Sequence, residues 1–216
     1  MPRAARVNDP TSHGSPLSAG PGSPDVRIGN SPAWRALPSG QVRAAAEAAS
    51  QAVQSLMKNT SLTPASAAPL LAKAQVRMQQ AAAAATAETN PAAAPTAASS
   101  LAALNAANAT LTAAWSAASA VPGGMAPAST AYTQGLHAAV AAAAGAVMTA
   151  IAGSADVHTC PVPSPAPPHG PGVVTRGSAT VRVNGLPAVR EGDKVFEACG
   201  GADAIATGCV SVMVGG

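Results

Sequence analysis

The apolar positions of this chain follow two different periods. Between residues 36 and 155 they recur every three to four positions on an alanine background, the spacing of one helix face. Four such stretches can be drawn. The first, 41–59, carries Val42, Ala46, Ala49, Val53 and Leu56, with Ser39 as its candidate N-cap. The second, 65–89, carries Leu70, Leu71, Ala74, Met78 and Ala81, and Pro91 and Pro95 end it. The third, 97–120, has a heptad-like seam of Leu101, Leu104, Asn108, Leu111, Trp115 and Ala118. A polar Asn on such a seam fixes register at some cost in stability. The fourth, 128–152, carries Tyr132, Leu136, Val140, Val147 and Ile151. An even number of helices returns the chain to its point of departure, so a bundle or a pair of hairpins is expected.

The flanks, 1–35 and 156–216, are rich in Gly, Pro and Val and alternate with period two, the mark of short strands with one buried face. They also repeat. "GSPDVRIGN" (22–30), "GSATVRVNG" (177–185) and "GCVSVMVGG" (208–216) each start on Gly and a small residue. Each then alternates, through Val26/Ile28, Val181/Val183 and Val212/Val214, with Arg27, Arg182 and Met213 facing the other way. "SPAWR" follows the first and "LPAVREGD" the second, while the segment expected after the third stands at the other end of the chain, as "MPRAARVND". The repeats therefore close into a ring if Met1 and Gly216 are neighbours. In the middle repeat Arg35 is separated from its expected Asp, Asp156, by the alanine-rich block. Three segments follow: 1–35 and 156–216 as two parts of one β unit, and 36–155 as an insertion in one of its loops.

Composition sharpens this picture. One Phe, one Tyr and two Trp in 216 residues do not fill a large conventional core, so small-residue packing, repeats or a metal must contribute stability. The net charge is only +3, and no basic cluster is interleaved with aromatics, so nucleic acid is not an expected partner. Arg3 and Arg6 lead into Asn8, Asp9 and Pro10 rather than an apolar run, so no leader is expected and folding in the cytoplasm is. Three cysteines, two of them near histidines, favour metal or free thiols over a disulfide framework.

Each repeated Asp has a potential ligand downstream. Asp9 precedes His13, Asp156 precedes His158 and Cys160, Asp193 precedes Cys199, and His169 stands in "PPHGPG". Three equivalent loops would bring these residues to one axis. His13, His158, His169 and Cys199 make a closed set for structural Zn²⁺, with Cys160 as the alternative ligand because His158-x-Cys160 is too tight a pair for both to reach one ion easily. Cys209 reads as a small packing residue at a strand start, and His137 as an ordinary helix histidine.

With its motif order and ligand positions, the chain resembles PAAR-repeat proteins, the spike tips of type VI secretion and related contractile injection systems. "PRAARVND", "PAWR" and "PAVREGD" look like the namesake motif, with Trp34 and Val189 in place of its second Ala, and "AARVNDPTSH" (4–13) resembles the N-terminal prePAAR pattern. The resemblance covers the flanks only. It implies a small all-β, pseudo-threefold, solenoid-like cone, here carrying a large α-helical insertion. It implies zinc held by three His and one Cys near the tip, and no enzymatic activity. It also implies a flat base docked on a trimeric valine–glycine-repeat spike protein, one copy per spike, with Val26, Ile28, Val181, Val183, Val212 and Val214 as the docking strands. Such a tip would sit in the cytoplasm before firing and travel with the spike through a target membrane.

Two other readings stay open. The insertion is an adaptor that recruits an effector or chaperone, or it enters a membrane, since no Asp, Glu, Lys or Arg occurs from Thr89 to Ala155. Ala is only weakly apolar, which argues against the latter. No toxin domain is expected, because the chain ends after the third strand. A zinc hydrolase would need an open coordination position and an acid–base group, and Glu191 and Glu197, the glutamates near the ligands, stand in no known hydrolase pattern.

Overall fold

The computed structural model describes the chain except residues 19, 39, 164–166 and 216 and the side chain of Ala202. Its described elements run β1 (Arg3–Ala4), β2 (Arg27–Ile28), β3 (Ser31–Pro32), α1 (Gln41–Met57), α2 (Pro64–Glu88), α3 (Ala93–Ser119), α4 (Met125–Ala152), β4 (Val157–Pro163), β5 (Pro168–Val174), β6 (Arg182–Val183), β7 (Leu186–Pro187), β8 (Lys194–Glu197), β9 (Ala202–Ala204) and β10 (Cys209–Met213). All four helices thus lie between Arg35 and Asp156.

The helices form where the apolar period places them. Val42, Ala46, Ala49, Val53 and Leu56 are all buried in α1, and Tyr132, Leu136, Val140, Val147 and Ile151 in α4. The Ser39 cap falls outside the described residues. α2 starts on a capping box, in which Thr63 Oγ1 accepts from the Ser66 N–H and Ser66 Oγ from the Thr63 N–H. α3 begins earlier than the sequence suggests, at Ala93, with Pro95 inside its first turn. A first-turn N–H has no intrahelical acceptor, so proline is tolerated there. On the α3–α4 seam Asn108 Oδ1 accepts from the Tyr132 hydroxyl at 2.8 Å. A Cβ on Gly135 would stand 2.5 Å from Leu111 Cδ2, so glycine allows these two helices their close approach. α4 is long and apolar enough to cross a membrane, and most of that stretch is buried against the rest of the molecule.

The β part is built from hairpins and one larger sheet. β2 pairs β3 and β6 pairs β7, each across a short turn. The equivalent third pair is made by β1 and β10, with Arg3 opposite Met213. The N–H of Val214 donates to the Pro2 carbonyl at 2.9 Å, so the two ends of the described chain are neighbours. Three motif segments then bond head to tail. Trp34 N–H donates to the Ala5 carbonyl, Val189 N–H to Trp34, and Ala5 N–H to Val189, at 2.9–3.0 Å. Bridges repeat the cycle, Arg6 with Ala33, Arg35 with Ala188 and Arg190 with Ala4. Ala5, Trp34 and Val189 pack with Leu17, Val174, Val195 and Ile205 into a core of their own.

The positions read as base strands divide. Val183 and Val214 are buried against Ala4, Ala33 and Ala188, with Ile28 and Val212 partly buried beside them. Val26 and Val181 are exposed.

Candidate metal centre

The larger sheet is antiparallel with strand order β4-β5-β8-β9. Along β4 burial alternates, with His158 and Cys160 inside and Thr159 outside. Residues two apart on a strand share a face, so the tight pair aims both side chains into the same space. Gly172 on β5 lies opposite both His158 and Glu197, and Asp203 on β9 lies opposite Val195. His169 is buried near the start of β5. His13 comes over this face from a loop tied to the sheet by the Ser12 N–H, which donates to the Ala204 carbonyl at 2.8 Å, and its own N–H donates to Asp203 Oδ1 at 3.1 Å.

The donor atoms converge. His13 Nδ1 and His169 Nδ1 are 3.3 Å apart, and Cys160 Sγ is 3.7 Å from each. On a tetrahedral zinc, two imidazole nitrogens stand about 3.3 Å apart and a nitrogen and a thiolate sulfur about 3.6 Å, from the usual bond lengths. The three atoms have the dimensions of one face of such a site. Glu197 closes it, with Oε1 3.2 Å from His13 Nδ1 and Oε2 2.7 Å from His169 Nδ1. A second group overlaps the first: His158, Glu197 and Asp203, all buried. His158 Nε2 is 3.9 Å from Glu197 Oε1, and Asp203 Oδ2 is 3.6 Å from His13 Nδ1. Ser15 Oγ lies between His158 Nε2 and Cys160 Sγ, at 3.4 and 3.7 Å.

The electrostatics fit a cation. Asp203 Oδ2 is buried without a hydrogen bond, and Glu197 Oε2 makes none either although the His169 ring nitrogen stands 2.7 Å away, a costly crowding of donor atoms that a shared ion would relieve. Burial pushes the Glu197 carboxyl and the Cys160 thiol up and the His158 imidazole down. For Asp203 burial pulls the carboxyl up, but hydrogen bonds headed by that from Ser12 leave it below its ordinary range. Gly200 is a steric requirement, because a Cβ there would collide with Glu197 Oε2 and the His169 ring.

Of the residues expected from sequence, His13, His169 and Cys160 meet, and His158 stands beside them. Cys199 lies outside the converging donors. It is buried in the helical core, where burial raises its thiol to about 12. Glu191 faces Arg3, 3.7 Å away. Glu197 and Asp203 are the residues that motif reasoning missed. In "KVFEAC" Glu197 shares the face of buried Val195, and that alternation alone put a carboxylate in the interior.

Each motif arginine holds a motif aspartate. Arg6 with Asp9, Arg35 with Asp156 and Arg190 with Asp193 are all bidentate, and in each the arginine N–H donates to Oδ2 of the same aspartate. Residues 164–216 match the family model described as the PAAR motif. The chain carries a PAAR motif. No curated protein and no solved structure gives a match to the chain. The PAAR motif implies a spike-tip role in a type VI secretion system, and its spike tips are structural rather than catalytic.

Proposed function

We propose that this chain is a metal-stapled, pseudo-threefold cone that sharpens the spike of a contractile injection machine. The observation that carries the reading is the closed ring of Ala5, Trp34 and Val189, each bonded to the next. Three like units around an axis offer a threefold base to a threefold partner. That partner is a trimeric valine–glycine-repeat spike protein, with one copy of this chain per spike. Residues 1–35 and 156–216 form the cone, and 36–155 is an insertion domain. The exposed Val26 and Val181 lie on the docking side, with Val212 partly buried beside them. Unpaired backbone of such short base strands suits extension by another sheet.

The metal is structural Zn²⁺. His13, Cys160 and His169 take three positions. The fourth falls between Glu197 and His158, and the shorter contacts favour Glu197, with His158 and Asp203 around it. A bound zinc would crosslink strands and a loop that are far apart in sequence, and in a β part with so small a core that crosslink contributes to folding directly. The chain waits in the cytoplasm, fires with the spike and has no reaction of its own to perform. The insertion domain is a surface on which an effector or its chaperone rides.

The test is co-elution of the metal-loaded chain with a trimeric spike protein. Binding that disappears in the double variant Val26→Asp, Val181→Asp supports the base as the docking surface. A loaded, folded chain that binds no spike overturns the reading.

A further inference from the structure

Ser50 joins the helical domain to the metal centre. It sits in the middle of α1, buried, and its Oγ donates to the Glu197 carbonyl at 2.6 Å. One turn on, Gln54 Nε2 donates to Ser50 Oγ at 2.9 Å. That bond takes up the hydroxyl's acceptor side and leaves its proton for Glu197. The Glu197 side chain points into the centre, toward His13 and His169. The next two residues, Ala198 and Cys199, are buried in the core made by the helices. One short segment thus carries a metal-facing carboxylate, a carbonyl held by α1 and two side chains packed among the helices. Gly200, which follows, has no room for a side chain against the same carboxylate. A second tie runs alongside, from Thr175 Oγ1 to Glu47 Oε1 at 2.8 Å.

We propose that metal occupancy and the seating of α1 are coupled through residues 197–199, with Ser50 as a positioning residue for the centre. The inference rests on the metal reading above. Holding the Glu197 peptide from the helix side removes freedom that metal binding would otherwise have to freeze, and the reverse is equally true. Coupling of this kind is reciprocal. Loading the metal seats the helix, and a partner that shifts the helix loosens the metal.

The experiment uses the full chain as wild type, Ser50→Ala and, as a control in α3, Leu104→Ala. Zinc affinity is measured by competition with a chromophoric chelator, and hydrogen exchange is followed on loaded and stripped protein. Losing the hydrogen bond to Glu197 weakens affinity about 3- to 10-fold in Ser50→Ala, with one zinc still bound, while Leu104→Ala binds as wild type. Stripping the metal raises exchange in 46–57 more than in 101–119. Unchanged affinity in Ser50→Ala, equal weakening in both variants, or α1 exchange indifferent to metal overturns the coupling. If Ser50→Ala does not fold, Gln54→Ala is read instead: a smaller weakening supports the coupling and wild-type affinity overturns it. If the wild type binds no zinc, the metal reading itself fails and the coupling falls with it.

Discussion

Arg35 and Asp156, 121 residues apart in the chain, make the same bidentate pair that Arg6 and Asp9 make three residues apart. The whole helical domain departs from and returns to one motif loop. Its two ends are clamped by charge-assisted bonds of 2.7–3.0 Å, and Asp156 is fully buried.

Asp156→Asn therefore leaves Arg35 buried without its counter-charge. Removing one partner of a buried pair costs about 3–5 kcal/mol. In the Arg6–Asp9 pair the arginine side chain is 25% exposed, so Asp9→Asn leaves a charge that water reaches and costs less, about 1–3 kcal/mol. Chemical denaturation of the loaded variants ranks them. Equal losses would show that burial does not set the strength of these clamps.

Two thiols, Cys160 and Cys199, separate the donor sets. Loaded protein protects Cys160 from alkylation, and a chelator exposes it. Cys199, with its thiol raised to about 12 by burial, stays unreactive at pH 8 in both states as long as the chain remains folded. Cys199→Ala keeps one zinc per chain by mass spectrometry of the metal, whereas Cys160→Ala loses most of it. A Cys199→Ala chain without zinc would return Cys199 to the ligand set.

Gly200→Ala removes no donor and places no charge. Its Cβ would meet Glu197 Oε2 and the His169 ring, so one of the two must leave its position. Zinc affinity falls at least about 10-fold, since a displaced ligand costs more than an outer-sphere change. Gly201→Ala, where nothing crowds the added carbon, serves as the control.

Much of the fold is legible in the sequence. The helical stripes come from periodicity, the split motif comes from the repeat, and the repeated loops bring His13 and His169 into the candidate cluster. The choice between His158 and Cys160, and the place of Cys199 away from the cluster, are not legible there. Spacing suggested that His158 and Cys160 were too close, but on an extended strand two residues apart means the same face, and β4 buries both. Cys199 follows Glu197 beyond the end of β8, where the chain turns its side chains toward the helices. That turn depends on the packing of α1, which no local pattern encodes. Glu197 belongs to no ligand motif, and only its alternation with buried Val195 marks it as an interior carboxylate.

His137 gives the helical domain its own pH dependence. It is buried in α4, its Nε2 has no partner, and burial holds its pKa below the ordinary histidine value. As pH falls through about 6.5, the unfolded chain takes up the proton first. The folded state gains nothing until pH reaches the lower, native value. Stability linked to His137 is thus full above about pH 7 and declines on acidification, by at most about 1.4 kcal/mol per pH unit. His137→Leu removes this slope while keeping a similar volume in the core. Every other titratable group is common to both chains, so the difference between wild-type and variant denaturation curves isolates His137. That difference is flat from pH 7 to 8 and shifts in the variant's favour from pH 6.5 down to 5. A difference that stays constant over the whole range would mean that His137 is solvated in the folded bundle, against its burial between the helices.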